Sequence, residues 1–149
     1  MALGDIHSAA LTKLSIATTS GVATEDLAGF QAKTYVEVGE VTSIGDFGAK
    51  YNIINHSPLA DPIIKKFKGS KDNGKGSFEF ANKTTDAGQI AMKAASNSYS
   101  SYAIKVEEQD GSVTYFLALI SGFSKKIGTI DNIVSISADF EITSALVEA

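Results

Sequence analysis

A glycine-rich segment from Lys68 to Ser77, KGSKDNGKGS, has the residue types and nearly the spacing of a phosphate-binding loop. Such a loop needs a glycine, four residues, Gly-Lys and then a Ser or Thr whose hydroxyl binds magnesium. Gly69, Gly74 and Lys75 fit this pattern, but Gly76 stands where the hydroxyl is needed. The residues that follow alternate like a strand, whereas a phosphate-binding loop opens a helix. The sequence therefore predicts a polar turn between two strands here.

The other residues with chemical potential lack partners at a useful spacing. The Asp72–Gly74 triplet resembles part of a calcium loop, but no glutamate stands at the closing position. His7 and His56 are far apart in the sequence, so neither a metal site nor a catalytic dyad is predicted. The acidic pairs Glu107–Glu108 and Asp139 with Glu141 suit acid–base work or, more commonly, the solvated face of a strand. We therefore predict no catalytic residue, no cofactor, no metal and no enzymatic activity.

Composition places the chain in a broad class. Its 149 residues, 44% of them hydrophobic, suit one domain spanning residues 1–149. The absence of cysteine suits a reducing compartment, and neither a signal peptide nor a long apolar run is visible. All 13 basic residues are lysine and the net charge is −4, which argues against a protein that grips nucleic acid through its phosphates.

Alternation of apolar and polar residues predicts a mainly β chain. The clearest strand is 133–142, with Val134 to Ile142 alternating inward and outward. Residues 101–109 and 112–123 form a predicted hairpin around Asp110–Gly111, and its second arm is apolar on both faces, which indicates a central or interface strand. Shorter strands are predicted in five other segments: 10–18, 33–41, 48–56, 62–69 and 74–83.

One helix is predicted over residues 84–96. Thr84 or Thr85 can cap it, and Asp86 falls in the first turn, where the helix dipole favours an anion. We expect a narrow buried stripe on this helix, formed by Ala87, Ile90, Ala91 and Ala94.

A long inter-strand segment, Thr42 to Lys75, combines both prolines with many apolar side chains. A long segment of this kind in a compact domain is usually functional or partly disordered, and its apolar side chains indicate that it docks on another surface. Its apolar members are Ile44, Phe47, Tyr51, Ile53, Ile54, Leu59, Ile63, Ile64 and Phe67.

Three stretches together resemble the tail tube (major tail) proteins of long-tailed bacteriophages, the siphophage type. They are Val38–Phe80 with its lead-in VGEVTSIGDFG, the helix TDAGQIAMKAA, and the strand–hairpin–strand from Tyr102 to Ile142. The similarity runs from about residue 30 to the end. It lies in the order and spacing of short motifs more than in any single one.

This resemblance implies a β-sandwich or barrel-like tail-tube fold with one flanking α-helix and a long inter-strand loop. Six copies would form a ring, and stacked rings would form a tube through which DNA is ejected. The segment 42–75 would be the ring-stacking loop, while the arm 1–10 and the tail 143–149 would become ordered on assembly. The residues assigned to stacking are Ile44, Phe47, Tyr51, Ile53, Leu59, Ile63, Ile64, Phe67, Lys68, Gly69, Asp72 and Gly74.

The implied partners are other copies of the chain and the tape measure, tail-tip and tail-terminator proteins. Double-stranded DNA would pass through without sequence-specific binding, and no membrane would be involved. The implied location is the virion tail, assembled in the bacterial cytoplasm. An acidic, arginine-free wall suits a conduit, and Glu107, Asp139 or Glu141 are the candidates to face its lumen.

Two other readings remain open at this stage. The chain could instead be a tube subunit of a contractile tail or of a type VI-like secretion system. It could also be a monomeric β-barrel that binds a ligand in a pocket lined by aromatic side chains.

Overall fold

The structure, a computed structural model, describes residues 6–149. In this range the chain forms ten strands and two helices. They are β1 (Lys13–Ser20), α1 (Leu27–Gln31), β2 (Tyr35–Val38), β3 (Val41–Ile44), β4 (Lys50–His56), β5 (Lys65–Asp72), β6 (Lys75–Ala81), α2 (Ala87–Ser96), β7 (Tyr102–Glu107), β8 (Val113–Lys126), β9 (Ser135–Ile142) and β10 (Val147–Glu148). The predicted mainly β class is confirmed, and every strand predicted from alternation is present.

An antiparallel sheet of eight strands forms the body of the molecule. Its strands lie in the order β2-β1-β7-β8-β9-β6-β3, and β10 pairs with the first part of β8. Leu14 and Val38, near one edge, share a buried cluster with Phe78 and Phe80, near the other. The sheet is therefore rolled around one core, as a barrel-like fold requires.

The strand β8 is buried on both faces, as its sequence predicts. Phe116, Ala118 and Ile120 join the large core, whereas Tyr115 and Leu117 face the opposite side. The sequence left open whether that second face is covered by the chain itself, as in a central strand, or by a partner. In its first half it is covered by the chain itself, since Phe30 of α1 stacks on Tyr115 with ring centroids 5.8 Å apart.

Helix α2 is present where predicted, but its buried side and its cap differ from the prediction. The buried residues are Gly88, Gln89, Met92 and Ala95, whereas Ala87, Ile90 and Ala94 of the predicted stripe are exposed and Ala91 is half-buried. The N-cap is Asp86, which accepts hydrogen bonds from the N–H groups of Gln89 and Gly39, each at 3.0 Å. Asp86 therefore caps the helix, which is the role expected of Thr84 or Thr85. It also connects the helix to the β2–β3 turn.

Gln89 explains why the helix turns this side inward. Its amide nitrogen donates to the carbonyls of Gly39 and Ala81, and its amide oxygen accepts from the N–H of Lys83. The glycine beside it, Gly88, lies so close to β2 that an added Cβ would meet the Glu37 carbonyl oxygen at 2.1 Å. The contact face therefore combines a polar residue and a glycine with the apolar Met92 and Ala95, so apolar periodicity alone indicates only part of it.

The C-terminal end of the chain also differs from expectation, and half of the predicted N-terminal arm cannot be compared. Residues 1–5 of the predicted N-terminal arm lie outside the described residues. The C-terminal tail 143–149, expected to become ordered on assembly, already lies on β8 within a single chain. The buried hydroxyl of Ser144 accepts from Leu117 N–H at 2.9 Å, and Glu148 pairs with Thr114. Within residues 6–149, no helix has the length and apolarity needed to cross a membrane.

Candidate assembly surfaces

The predicted stacking segment is anchored in the body at its root. Ile44 and Phe47 are half-buried against the large core, and the rings of Phe47 and Phe116 lie 5.3 Å apart. We predicted both residues as part of the docking surface. Their packing gives them a second role, which is to fix where the segment leaves the sheet.

Close backbone contact at the root explains the glycines of the KGSKDNGKGS motif. Gly74 has φ +102°, and a Cβ there would lie 2.1 Å from the carbonyl oxygen of Gly48. A Cβ on Gly76 would meet the Phe140 ring at 2.8 Å. Asp72 accepts a hydrogen bond from the Gly74 N–H at 3.0 Å, and β6 begins at Lys75. The motif is therefore a turn that enters a strand, as the sequence predicts.

Beyond the root, β4 and β5 form a two-stranded hairpin that pairs with no other strand of residues 6–149. Ile54 lies opposite Phe67, and Ile53 lies opposite Lys68. Because neighbouring side chains point to opposite faces of a strand, Ile53 and Ile54 make both faces of the hairpin apolar. These two side chains and that of Phe67 are each more than half exposed.

The tip of the hairpin continues this apolar exposure. Leu59 is fully exposed, and Ile63 and Ile64 are 69% and 53% exposed. The tip is nevertheless a formed turn, because Asp61 N–H donates to Pro58 O and the Asp61 carboxylate accepts from Ile63 N–H at 3.0 Å. The hairpin therefore presents apolar side chains on an ordered backbone.

The hairpin is also basic within an acidic chain. Residues 50–72 contain five lysines and two aspartates, so they carry +3, while the rest of the chain carries −7. The Nζ of Lys68 lies over the Tyr51 ring at 4.7 Å from its centroid, and that of Lys71 at 5.7 Å. These cation–π contacts hold the lysine stems along the strand pair.

The three candidate lumen residues share one face of the large sheet. Glu107 lies opposite Val113, and Glu141 lies opposite Leu119, two positions that alternate with the core residues of β8. Asp139 is two residues before Glu141 and falls on the same side. Helix α1 covers the part of this face around Tyr115, whereas Asp139 and Glu141 are exposed.

His7 lies between two carboxylates of the β7–β8 turn, a contact that its position in the sequence gave no reason to expect. Its Nε2 is 3.7 Å from Glu108 Oε1, and its Nδ1 is 3.9 Å from Asp110 Oδ2. One donor atom from each of the three residues lies within 4.8 Å of the others. The hydrogen bonds from Ser112 to Asp110 are the main cause that lowers the pKa of the Asp110 carboxyl, and His7 adds to it.

A second exposed apolar segment, the β8–β9 connection of residues 127–134, was missed by sequence reasoning. Ile130 is 98% exposed, Ile133 78% and Ile127 59%. The three isoleucines recur every third residue in a short non-helical stretch, so neither strand nor helix periodicity marks them. A count of apolar side chains between two predicted strands was the available signal.

Comparisons with known proteins place this arrangement in a structural class. No protein-family model matches the sequence, and no curated protein is similar to it in sequence. A chain of the SPP1 tail tube, solved by solid-state NMR and cryo-EM, superposes with a TM-score of 0.65 at 16% identity over 92% of this chain and 75% of that chain. A chain in the cryo-EM structure of the sheath/tube terminator of PVC, an extracellular contractile injection system, superposes with a TM-score of 0.68 at 7% identity over 99% of both chains.

A chain of the PVC sheath-tube complex gives a TM-score of 0.64 at 8% identity over 99% of this chain and 93% of that chain. The fold is therefore the one shared by chains of phage tail tubes and contractile injection systems. The predicted resemblance to phage tail tube proteins is confirmed at the level of this fold.

Proposed function

We propose that this protein is a structural subunit that assembles with copies of itself into stacked hexameric rings, which form a phage tail tube for DNA ejection. The observation that carries this proposal is the β4–β5 hairpin, which is apolar on both faces and unpaired with the body. An isolated two-stranded hairpin is marginally stable in water. Exposed apolar surface of this extent marks a protein interface.

The body supplies a second reason for self-association. Its sheet ends in two four-residue edge strands, β2 and β3, which have no neighbour on their outer sides within residues 6–149. Unpaired edges are templates for strand pairing with another chain, and closing a ring would cover them. In a ring of identical subunits with the hairpin projecting from it, another copy of the chain would cover both the edge strands and the hairpin.

The hairpin is a long extension of the body. Its seven-residue strand β4 spans about 24 Å at about 3.4 Å per residue. Because both faces are apolar, the hairpin would be fully covered only between two neighbouring chains. We assign stacking contacts to its exposed side chains: Tyr51, Ile53, Leu59, Ile63, Ile64, Phe67 and Lys68.

The proposed conduit role rests on charge. The chain contains no arginine, and without the hairpin it carries −7. A wall that does not bind phosphate would let DNA pass quickly. We place Asp139 and Glu141 toward the lumen, with Glu107 as the third candidate. A net positive lumen wall in a cryo-EM map of the assembled tube would overturn this assignment.

The proposed partners follow from the role. They are the tape measure, tail-tip and tail-terminator proteins, in a virion tail assembled in the bacterial cytoplasm, and we propose no catalytic activity. A tube subunit of a contractile system is the second candidate, because chains of the PVC tube assemblies align over nearly their full length. Purification of tubes with or without a surrounding sheath from the native source separates the two.

Negative-stain microscopy of the concentrated protein tests the proposal directly. We expect tubes with a central channel and six-fold end views, alone or after tail-tip proteins are added. A protein that stays monomeric at every concentration, with and without those proteins, contradicts it and favours the monomeric ligand-binding barrel. As a control, a variant with Phe67 and Ile63 changed to serine keeps the fold and is expected to form no tubes.

A further inference from the structure

Two clusters of like charge lie at opposite ends of the large sheet. The carboxylate cluster, beside the start of β8, consists of Glu107, Glu108, Asp110 and Glu148. The lysine cluster, beside the end of β8, consists of Lys83, Lys93, Lys125 and Lys126. Strand β8 has 14 residues, so the two clusters are about 40 Å apart along it.

Strand register fixes both positions. Glu107 lies opposite Val113 at the start of β8, and Glu148 lies opposite Thr114. At the other end, Lys126 of β8 lies opposite Ser135 of β9, and Ser135 lies opposite Ala81 of β6 on its other side. Lys83 follows Ala81 by two residues, so it lies near the same end of the sheet. Lys83, Lys93 and Lys125 line one groove between α2 and the sheet. The clusters are therefore properties of the body and do not depend on the hairpin.

The positive charges of the lysine cluster are not paired with acidic side chains in the part of the chain that the structure describes. All four of its side chains are exposed, and none forms a salt bridge or a side-chain hydrogen bond within residues 6–149. The acidic residues close to the cluster in the chain are the exposed Glu79 and Asp131, and Asp86, whose carboxylate accepts from two backbone N–H groups. The positive charge of the lysine cluster is therefore largely uncompensated.

The carboxylate cluster is only partly compensated. Lys13 lies opposite Glu107, and His7 lies beside Glu108 and Asp110. Four carboxylates thus face one lysine and one histidine. The root of the hairpin segment lies at this same end, because Ile44 and Phe47 line one groove together with Glu108 and Glu148.

Exposed isoleucines surround the lysine cluster. Ile90 lines the same groove as Lys83, and the segment 127–134, which contributes Ile127, Ile130 and Ile133, begins directly after Lys126. This end of the body is therefore both basic and apolar. The opposite end combines an acidic body with an apolar hairpin.

We propose that the lysine end of one copy docks on the carboxylate end of the next copy along the tube axis. This inference rests on the proposed function and adds the residues and the polarity of the ring-to-ring contact. Opposite charges favour head-to-tail contacts, while head-to-head contacts place like charges together. A heterologous contact that does not close produces an open filament. Because the hairpin is itself basic, its contact with the lysine end is apolar, and the carboxylates provide the electrostatic attraction.

Charge reversal at each end tests the proposal. Variant A carries Lys93→Glu, Lys125→Glu and Lys126→Glu, so its lysine cluster changes from +4 to −2 and both of its ends are acidic. Variant B carries Glu107→Lys, Glu108→Lys and Glu148→Lys, so its carboxylate cluster changes from −4 to +2 and both of its ends are basic. We expect A alone and B alone to form no tubes at 50 mM NaCl, and an equimolar mixture to form tubes of alternating rings. A control with Lys33→Glu and Lys105→Glu changes the net charge in the same direction as A, outside both clusters, and is expected to form tubes.

The outcomes distinguish this inference from the proposed function. Tubes from A or B alone in the amount given by the unchanged protein overturn the charge-guided docking and leave the tube assignment standing. The same holds if A and B fold, as judged by circular dichroism, but their mixture fails to form tubes. Absence of tubes from the unchanged protein, even with tail-tip proteins, contradicts the proposed function itself.

Discussion

The body and the hairpin use the same residue types in opposite ways. In the body, Phe78, Phe116 and Phe140 are completely or almost completely buried, and Phe140 stacks on the other two; the Phe78 and Phe140 ring centroids lie 4.3 Å apart. In the hairpin, Phe67 and its isoleucine neighbours are more than half exposed. Burial of an aromatic side chain stabilises the fold. An exposed aromatic side chain does not, but it can stabilise an association when a partner buries it. The difference indicates that the two regions are built for folding and for assembly respectively.

Charge separates the two regions as well. The hairpin carries +3, and the remaining chain carries −7. Polar contacts within the body satisfy buried backbone groups, as Gln89 does, while the hairpin's polar side chains stay in solvent. The comparison predicts that changes in the buried core of the body act on stability and changes in the hairpin act on assembly.

Removal of the hairpin has the largest expected effect on assembly. We propose to replace residues 50–72 with two glycines, which is feasible because the backbones of Gly48 and Gly74 nearly touch. Tube formation, scored by electron microscopy and sedimentation velocity, should be lost entirely. The thermal midpoint of unfolding should stay within about 3 °C of the full chain, since this change corresponds to under about 1 kcal/mol.

The deletion of residues 50–72 keeps Ile44 and Phe47, because both pack on the core. A matched deletion that begins at Ile44 should lower stability as well as abolish tubes. Unfolding of the shorter deletion, 50–72, would show that the hairpin belongs to the folding unit and would refute the division proposed here.

A pair of phenylalanine truncations sharpens the comparison. Phe140→Ala removes a ring that stacks on Phe78 and Phe116, so it should lower the free energy of unfolding by about 3–5 kcal/mol. Phe67→Ala, on the hairpin, should change it by less than about 0.5 kcal/mol. Urea unfolding of the monomer, monitored by circular dichroism, measures both. Equal losses would contradict the difference in burial.

The next largest effect on stability is expected from the replacement of a buried polar residue in the body. Gln89→Leu keeps the side-chain volume but leaves the carbonyls of Gly39 and Ala81 and the N–H of Lys83 without their partner. A buried backbone group without a partner costs about 1–3 kcal/mol, so we expect a loss of about 2–4 kcal/mol by urea unfolding. Gln31→Leu, on an exposed position of α1, is the control and should be near neutral. A neutral Gln89→Leu variant would mean that water replaces the lost contacts.

Local patterns in the sequence predicted much of this fold. Strand alternation located the strands of the body, and the double apolar face of Val113–Phe123 correctly indicated a central position. The apolar content of the segment 42–75 drew attention to the hairpin. These signals are visible because each depends on residues close together in the chain.

Contacts between distant segments could not be predicted in the same way. The buried face of α2 depends on Gly88 and Gln89, whose fit to β2 and to the β2–β3 turn is a tertiary property. The five residues of α1 and the two of β10 are too short for a periodic signal. The two charge clusters join residues more than 35 positions apart, so only the strand register reveals them.

The smallest expected effect concerns the pH dependence of the body at its acidic end. Hydrogen bonds from Ser112, with a contribution from His7, lower the pKa of the Asp110 carboxyl from the ordinary value of 3.8. A carboxyl with a lowered pKa in the folded state contributes stability above its unfolded pKa and loses it as the pH falls through the folded pKa. The stability advantage of the unchanged protein over Asp110→Asn should therefore be complete at pH 7 and shrink as the pH falls below about 3.8, measured by urea unfolding.

The matched hairpin variant is Asp72→Asn, since Asp72 also accepts a backbone hydrogen bond in a tight turn. If the hairpin is independent of the folding unit, this variant should have the same unfolding free energy as the unchanged protein at both ends of the pH range. A pH-dependent loss as large as that of Asp110→Asn would show that the hairpin turn and the body unfold together. The two regions would then be one cooperative unit, and the hairpin would differ from the body in its charge and its exposed apolar side chains but not in its folding.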